Sequence, residues 1–269
     1  MENKKIKIGI VGLGLIGSSL LKALSKNGEY ELFCVSNSSF EKALDFTKNA
    51  SSDIEIVKNC DIVFVCCEVS KTLETLDKLN NILDKNTVVA DVCSIKKELL
   101  NKDFNFDFIL SHPMAGTEKS GFDAGFEELF ENNLWLIEKE NDILNEIILS
   151  VGAKKLLIDM KDHDFMCAQI SHLPALLSYA LFDSAQDKSK QIASSGFRDT
   201  TRLAMTNENL LNSMYELNQE NIEKALDLML EKLNNLKKLS LDEKIELFKG
   251  AALKRKQMYD DLGKNIFKI

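Results

Sequence analysis

The chain has 269 residues, 45% hydrophobic and 28% charged, a balance typical of folded globular proteins rather than disordered ones. Its net charge of -8 disfavours a surface that binds nucleic-acid phosphates. Only three histidines are present, which leaves little room for a metal site or a histidine relay, and we predict no bound metal. Six cysteines without a CxxC pair predict reduced thiols. No run of about 20 apolar residues is present to cross a membrane, and we expect a cytoplasmic protein.

The first 160 residues alternate between short apolar runs and helix-like stretches. Helices are expected from the first glycine turn to about Ser25, over Lys71–Leu83 and over Asn141–Ser150. Apolar runs without polar alternation, separated by helices, are typical of a parallel sheet covered on both faces. The predicted strands, in chain order, are Ile6–Val11, Tyr30–Val35, Asp61–Cys67, Thr87–Val92, Phe106–Leu110, Leu134–Ile137 and Lys154–Ile158.

From His163 onward the pattern changes to that of helices. No glycine lies between Gly196 and Gly250, and leucine and methionine recur at intervals of mostly three to five residues from Leu210 to Leu236. We therefore predict two domains, an α/β domain over 1–160 and an all-helical domain over 161–269. The apolar helices exceed what one small bundle needs, which favours a homodimer formed through the C-terminal helices.

A GxGxxG motif follows the first predicted strand directly and opens a helix. Gly12 allows the tight turn, Gly14 lets a pyrophosphate approach the backbone, and Gly17 lets helix and strand pack closely. Leu15 and Ile16 complete the loop. This context predicts a Rossmann-type domain that binds a dinucleotide, NAD or NADP.

The end of the second strand bears on which dinucleotide is bound. An acidic residue there would hold the ribose hydroxyls of NAD, but this chain has Ser36 and Asn37 instead. No carboxylate repels a 2′-phosphate, which favours NADP slightly. The alternative is that Ser36 and Asn37 bind the 2′-hydroxyl of NAD, and the preference stays open.

The residues suited to chemistry on a small substrate fall in three short clusters, Ser111–Gly121, Ile170–Pro174 and Ser195–Arg202. His112 closes a predicted strand, where open α/β sheets hold their ligands, and a neutral histidine can take a hydroxyl proton near pH 7. Arg202 or Arg198 could bind a substrate carboxylate through two hydrogen bonds, and Asp199 is a partner for one of them. His163, next to acidic residues at a helix start, is interpreted as structural.

Six segments occur here in the order found in one known enzyme family. They are GLGLIGSSL, DIVFVCCEV, DVCSIK, HPMAGTEKSG, ISHLP and GFRDTTRLA, and they lie between about Lys5 and Ala204. In these segments the chain resembles the prephenate and arogenate dehydrogenases. The resemblance implies a Rossmann domain joined to an all-helical dimerisation domain. It also implies NAD(P)-dependent oxidative decarboxylation of prephenate to 4-hydroxyphenylpyruvate, in tyrosine biosynthesis.

The resemblance also implies roles for individual residues. His112 matches the histidine that draws the proton from the ring hydroxyl, and Ser94 matches a serine that orients it. Arg202 matches the arginine that binds a substrate carboxylate. Further residues match positions that line the pocket or pair with an arginine: Thr117, Glu118, Ser171, His172 and Asp199.

Three departures from the family pattern and three alternatives remain. One departure is Glu68, which replaces a proline common after the DIVFVCC strand. Ala175 replaces a histidine found in many members, which puts tyrosine feedback in doubt, and the acidic residue after the second strand is missing. An arogenate dehydrogenase shares nearly all these motifs. A β-hydroxyacid-type dehydrogenase would need a lysine within Asp164–Phe182, where none occurs, and a non-catalytic dinucleotide-sensing module would be expected to lose His112 or Arg202.

Overall fold

The computed structural model describes residues 5–26, 28–117, 119–205 and 208–261. The chain divides into two compact units, Met1–Asp164 and Phe165–Ile269. The predicted fold class is confirmed: the first unit is built on a parallel sheet, and the described part of the second contains helices and no strand.

The main sheet of the first unit has six strands, all parallel. Its spatial order is β3-β2-β1-β4-β5-β6, so the direction of winding reverses between β1 and β4. The strands are β1 (Ile6–Val11), β2 (Tyr30–Val35), β3 (Asn49–Ser51), β4 (Ile62–Val65), β5 (Val88–Asp91) and β6 (Asp107–Ile109). Every residue of β4 and β5 is buried, as continuous apolar runs predict for strands covered on both faces.

Helices connect these strands and cover the sheet. They are α1 (Leu15–Ser25), α2 (Phe40–Ala43), α3 (Val69–Asn80) and α4 (Asp142–Ser150), with 3₁₀ turns at Ile54–Val57, Phe122–Ala124 and Glu127–Phe130. α1 packs Leu20, Leu21 and Leu24 into one apolar cluster with β1 and β4. Asn141 begins α4, and its side chain accepts a hydrogen bond from the N–H of Leu144.

A second, three-stranded sheet corrects the sequence prediction in detail. Leu134–Ile137 (β8) and Lys154–Leu157 (β9) are strands as predicted, but they do not extend the main sheet. β8 pairs in parallel with β9 and antiparallel with Ser111–Pro113 (β7), a strand that the sequence analysis missed. The buried Trp135 of β8 contacts Phe64 of the main sheet edge-on, with ring centroids 6.0 Å apart. The second sheet therefore shares the core of the first.

The boundary between the two units falls within a helix. α5 (Met160–Cys167) leads into a π-helical turn at Ala168–His172. The helices that follow are α6 (Leu173–Ser184), α7 (Asp187–Lys190), α8 (Ser195–Thr200), α9 (Glu208–Lys238) and α10 (Leu241–Asp261), with a 3₁₀ turn at Arg202–Met205. α9 is kinked at Asn218, whose φ of -134° and ψ of 20° are not helical.

The helical stretch Met160–Ser184 is long and apolar enough, by length and composition, to cross a membrane. Gln169, Ser171 and His172 interrupt its apolar residues. Such a helix is weak evidence for a membrane span, because core helices of soluble proteins meet the same criterion.

Candidate active site

The glycine loop between β1 and α1 has the shape that a dinucleotide pyrophosphate requires. Gly12 has a φ of +97°, and a Cβ there would lie 2.8 Å from the backbone of Cys66. A Cβ on Gly17 would lie 1.9 Å from the carbonyl oxygen of Gly12. A Cβ on Gly14, in contrast, would meet no atom within 4 Å. Gly12 and Gly17 are thus required by packing, whereas Gly14 faces open space.

The start of α1 offers hydrogen-bond donors to a ligand. Gly14 is the N-cap residue and has no side chain to satisfy the first N–H groups of the helix. Leu15 and Ile16 form the first turn and are half-buried. The N–H groups and the positive end of the helix dipole suit a phosphate. The residues of this loop therefore fit a dinucleotide.

Ser36 and Asn37 lie directly after β2, at the same edge of the sheet as the glycine loop. Asn37 is exposed, and Ser36 is half-buried. The Ser36 hydroxyl oxygen accepts a hydrogen bond from the N–H of Ser39 at 3.1 Å, so its own proton can be donated outward. Hydroxyl and amide donors of this kind suit a ribose hydroxyl or a phosphate, and they do not discriminate between NAD and NADP.

His112 lies on β7 and is in contact with a second histidine. Its Nδ1 is 2.9 Å from Nε2 of His163, and Nδ1 of His163 is 2.7 Å from Oδ1 of Asp164. His163 is fully buried. The expectation that three histidines leave little room for a histidine relay is wrong for this pair. The sequence places an imidazole next to a carboxylate in the dipeptide His163-Asp164, which could have indicated this pair. No local pattern predicts the contact of His163 with His112, which lies 51 positions earlier.

Asp164 accepts hydrogen bonds from more than the histidine. Its two carboxylate oxygens accept the backbone N–H groups of Lys96 and Lys97 at 2.7 and 2.8 Å. Burial alone would raise the pKa of this carboxyl, but the hydrogen bonds from His163 and from these N–H groups outweigh burial and lower the pKa. Asp164 therefore stays ionised beside His163.

A buried ion pair holds the start of β7. Lys96 and Asp91 are both fully buried and form a hydrogen-bonded pair, and Lys96 also donates to the carbonyl oxygen of Ser111 at 2.6 Å. Asp91 accepts the N–H of Ser111 at 3.0 Å, and Trp135 donates its indole N–H to the Ser111 hydroxyl at 3.1 Å. These contacts fix the residue that precedes His112.

The other predicted site residues of the first unit that the structure describes lie on two loops, one after β5 and one after β7. Ser94 is half-buried in the bend after β5, the strand adjacent to β6. The carboxyl ends of parallel strands share one sheet edge, so Ser94 and His112 follow neighbouring strands at that edge. Thr117 is exposed, and its hydroxyl oxygen accepts the N–H of Lys119 at 3.2 Å. Glu118 lies outside the described residues.

Ser171 and His172 lie in the π-helical turn of the second unit. Ser171 is exposed, whereas His172 is buried. Nδ1 of His172 is 3.3 Å from the side-chain nitrogen of Asn218, the residue at the kink of α9. The resemblance implies that His172 lines the substrate pocket. In the structure His172 also contacts the residue at which α9 is kinked.

The two arginines of the second unit differ in their surroundings. Arg198 contacts Asp199 at 3.1 Å, and both side chains are exposed. Arg202 lies in the following 3₁₀ turn and is exposed; among the described residues it forms no ion pair within 4.0 Å. Both line a cavity of about 850 Å³ with Tyr179, Phe182 and Phe197. Asp199, which lines the same cavity, thus offers a carboxylate partner to Arg198, whereas Arg202 has no such partner within 4.0 Å among the described residues.

These features define a class of protein: an oxidoreductase with a nucleotide-binding Rossmann domain followed by a helical domain. The model of the family described as "Prephenate dehydrogenase, nucleotide-binding domain" matches residues 22–156. The model described as "Prephenate dehydrogenase, dimerization domain" matches residues 159–252. The chain therefore belongs to the prephenate dehydrogenase family, and the resemblance seen in its motifs is confirmed.

Individual relatives agree with this assignment. The chain is 33% identical over 254 residues to a prephenate dehydrogenase of Lactococcus lactis, covering 88% of this chain and 70% of that one. A cyclohexadienyl dehydrogenase of Zymomonas mobilis is 29% identical over 76% of this chain and 78% of its own. The crystal structure of the Synechocystis arogenate dehydrogenase superposes with a TM-score of 0.82, at 31% identity, covering 94% of this chain and 100% of that one.

Proposed function

We propose that the protein is an NAD(P)-dependent prephenate dehydrogenase that converts prephenate to 4-hydroxyphenylpyruvate by oxidation with loss of carbon dioxide. The observation that carries the proposal is the place of His112, in a strand that follows β6 at the edge of the sheet where the glycine loop lies. A proton acceptor at that edge is what the oxidation of a ring hydroxyl needs.

His112 is assigned as the base in this reaction. It takes the proton of the ring hydroxyl while a hydride leaves the ring carbon, carbon dioxide is lost and the ring becomes aromatic. The bound dinucleotide supplies the nicotinamide that accepts the hydride. Gly12 and Gly17 set the shape of the loop, so that Gly14 and the N–H groups at the start of α1 would hold its pyrophosphate. Ser94 helps to orient His112 and the substrate hydroxyl.

Substrate binding is assigned chiefly to the second unit. Arg202 binds a substrate carboxylate, supported by its exposure and by the pairing of Arg198 with Asp199 instead. Ser171, His172, Thr117 and Glu118 are also assigned to substrate binding, on the strength of the motifs that contain them.

An arogenate dehydrogenase is the second candidate. The 31% identity to the Synechocystis arogenate dehydrogenase favours it, and prephenate and arogenate differ only in a keto or amino group on the side chain. On the cofactor, the lack of a carboxylate after β2 favours NADP slightly, with NAD as the alternative.

We further propose a homodimer formed through the C-terminal helices. Leu241, Ile245 and Phe248 of α10 are spaced at i, i+4 and i+7, so they share one helical face, and they are 71%, 39% and 64% exposed. We assign this face to contact with a second copy of the chain, because residues 159–252 match a domain described as a dimerization domain. Sedimentation of Phe248→Glu should show dissociation to a monomer, and an unchanged mass would contradict this interface.

The compartment is proposed to be the cytoplasm. All six cysteines are free thiols, and five of them are buried. Free thiols in this number suit a reducing compartment, where disulfides are rare.

The function is tested by offering prephenate and arogenate to the purified protein, each with NAD⁺ and with NADP⁺, and following absorbance of the reduced nicotinamide at about 340 nm. Turnover of prephenate is expected. Turnover of arogenate alone would favour the second candidate, and no turnover in any of the four mixtures would refute the enzymatic proposal.

Two arginine variants form a matched pair for the binding assignment. Arg202→Ala should raise KM for the substrate at least about tenfold, because a carboxylate loses a bidentate partner worth roughly 1.5–3 kcal/mol. Arg198→Ala removes the same side chain from the same cavity but should change KM by less than about threefold. The reverse ranking would transfer the carboxylate site to Arg198.

A further inference from the structure

We infer that His163 and Asp164 are positioning residues for the reaction, holding His112 in the protonation state and orientation in which it accepts the substrate proton. The inference rests on the proposed function, because it assumes that His112 is the base. It is built from three side chains of the first unit that form one continuous hydrogen-bonded series, His112 to His163 to Asp164, with distances of 2.9 and 2.7 Å.

The series fixes the tautomer of each ring. Asp164 is ionised and can only accept, so Nδ1 of His163 must carry a proton and donate it. In the neutral imidazole, Nε2 of His163 is then an acceptor, and Nδ1 of His112 donates to it. With its proton on Nδ1, His112 has its basic lone pair on Nε2. One carboxylate thus determines which nitrogen of His112 can act as a base.

The same series stabilises the product of proton transfer. When His112 gains a proton on Nε2, its ring becomes a cation and its Nδ1–H becomes a stronger donor. His163 accepts that hydrogen bond and is itself polarised by the Asp164 carboxylate. Because His163 is fully buried and Asp164 nearly so, water screens the interaction between them only weakly.

Asp164 also positions the loop that contains Ser94. Its oxygens accept the N–H groups of Lys96 and Lys97, two and three residues beyond Ser94. A single carboxylate is therefore attached to both groups assigned to the substrate hydroxyl, the imidazole through His163 and the serine through its loop. This arrangement goes beyond packing, since a packing role would require neither the charge nor the direction of the hydrogen bonds.

Two variants of His163 test the inference by steady-state kinetics. His163→Leu removes the acceptor for His112 and should lower kcat roughly 10- to 100-fold, the effect typical of losing a group that orients a functional histidine. KM should change by less than about threefold, because the His163 side chain is fully buried and is assigned no part in substrate binding. His163→Gln restores an acceptor near the position of Nε2 and should recover at least about half of that loss on a logarithmic scale. Equal kcat in the two variants would overturn the acceptor role.

His112→Ala separates failure of this inference from failure of the proposed function. If His112→Ala keeps wild-type turnover, His112 is not the base and the proposed function loses its central residue. If His112→Ala is inactive and His163→Leu keeps the wild-type kcat, only the positioning role is refuted. Tyr30→Phe, which removes a hydrogen bond to Glu146 elsewhere in the first unit, serves as the control for a simple loss of one contact.

A spectroscopic measurement covers the case in which His163→Leu does not fold. Nitrogen-15 chemical shifts of the imidazole rings in the wild-type protein report which nitrogen carries the proton. We expect neutral His112 to be protonated at Nδ1, and this preference to weaken in His163→Gln, because the amide lacks the Nδ1–H through which the Asp164 carboxylate polarises His163. Protonation of neutral His112 at Nε2 in the wild type would overturn the inference.

Discussion

Adding a single methyl group at each of two glycines of the nucleotide loop should give opposite outcomes. In Gly17→Ala the new Cβ would lie 1.9 Å from the carbonyl oxygen of Gly12, whereas real Cβ contacts stay beyond 3.0 Å. The loop or α1 must therefore move by about 1 Å, because no rotamer relieves a clash with backbone. In Gly14→Ala the Cβ meets no atom within 4 Å, and the backbone φ of -75° is ordinary for alanine.

The magnitudes follow from these contacts. Overpacking of this kind costs about 3 kcal/mol, the upper end of the usual range, because both clashing groups are constrained. Alanine regains about 1 kcal/mol in helix propensity at position 17, which leaves about 2 kcal/mol of destabilisation. For a domain of this size that lowers Tm by roughly 4–8 °C. Gly14→Ala should cost at most about 1 kcal/mol, the loss of a favourable N-cap residue.

Binding should rank the two variants differently from stability. Gly14→Ala places a methyl group where the pyrophosphate approaches, so dinucleotide affinity should fall at least about tenfold while the fold is retained. The chain has one tryptophan, the buried Trp135, whose fluorescence reports unfolding of the first unit, and calorimetric titration with NAD⁺ and NADP⁺ reports binding. Wild-type affinity in Gly14→Ala, or wild-type Tm in Gly17→Ala, would refute this reasoning.

Three further outcomes are expected. The pKa of Asp164 lies below its ordinary value of 3.8, so the ionised carboxylate stabilises the fold fully above about pH 5 and this stabilisation is lost as pH falls through the folded-state pKa. Urea unfolding should show that Asp164→Asn destabilises the protein at pH 7. The difference in free energy of unfolding between Asp164→Asn and the wild type should shrink below about pH 4. Lys96→Met should cost about 3–5 kcal/mol, since it leaves the buried Asp91 carboxylate without its cation, and the double variant with Asp91→Leu should recover part of the loss if the pair is the cause. Burial raises the pKa of Cys34 and Cys93 to about 12, so these thiols should resist iodoacetamide at pH 8 in the native protein and react after denaturation. If they reacted in the native protein as fast as an exposed thiol does, their burial would be contradicted.

The strands of the main sheet were predictable because burial on both faces leaves an unmistakable composition. β1 and β2 begin and end at the predicted residues, as does β8 of the second sheet, and β4, β5 and β6 are one or two residues shorter at each end. β3, in contrast, is Asn49–Ser51, a polar edge strand of three residues with no apolar run to mark it. β7 contains Pro113, which cannot donate to a ladder and so argues against a strand in sequence-based reasoning.

The site was predictable only as far as single motifs reach. The glycine loop depends on neighbouring residues, so its geometry follows from the sequence almost completely. The contact between His112 and His163 depends on how β7 turns away from the main sheet to pair with β8, a tertiary arrangement that no local pattern specifies. A count of three histidines does not indicate whether two of them are adjacent in space.

The network around Ser111 has a consequence for how the first unit opens. Ser111 belongs to the second sheet, yet its backbone and hydroxyl are bonded to Asp91 of the main sheet, to Lys96 and to Trp135. Separating the two sheets would expose a buried carboxylate and a buried ammonium together, so partial opening between them is costly. The amide hydrogens of β5, β7 and β8 should therefore exchange with solvent as one cooperative group, and the strand that contains His112 shares the rigidity of the parallel sheet although it is not part of it.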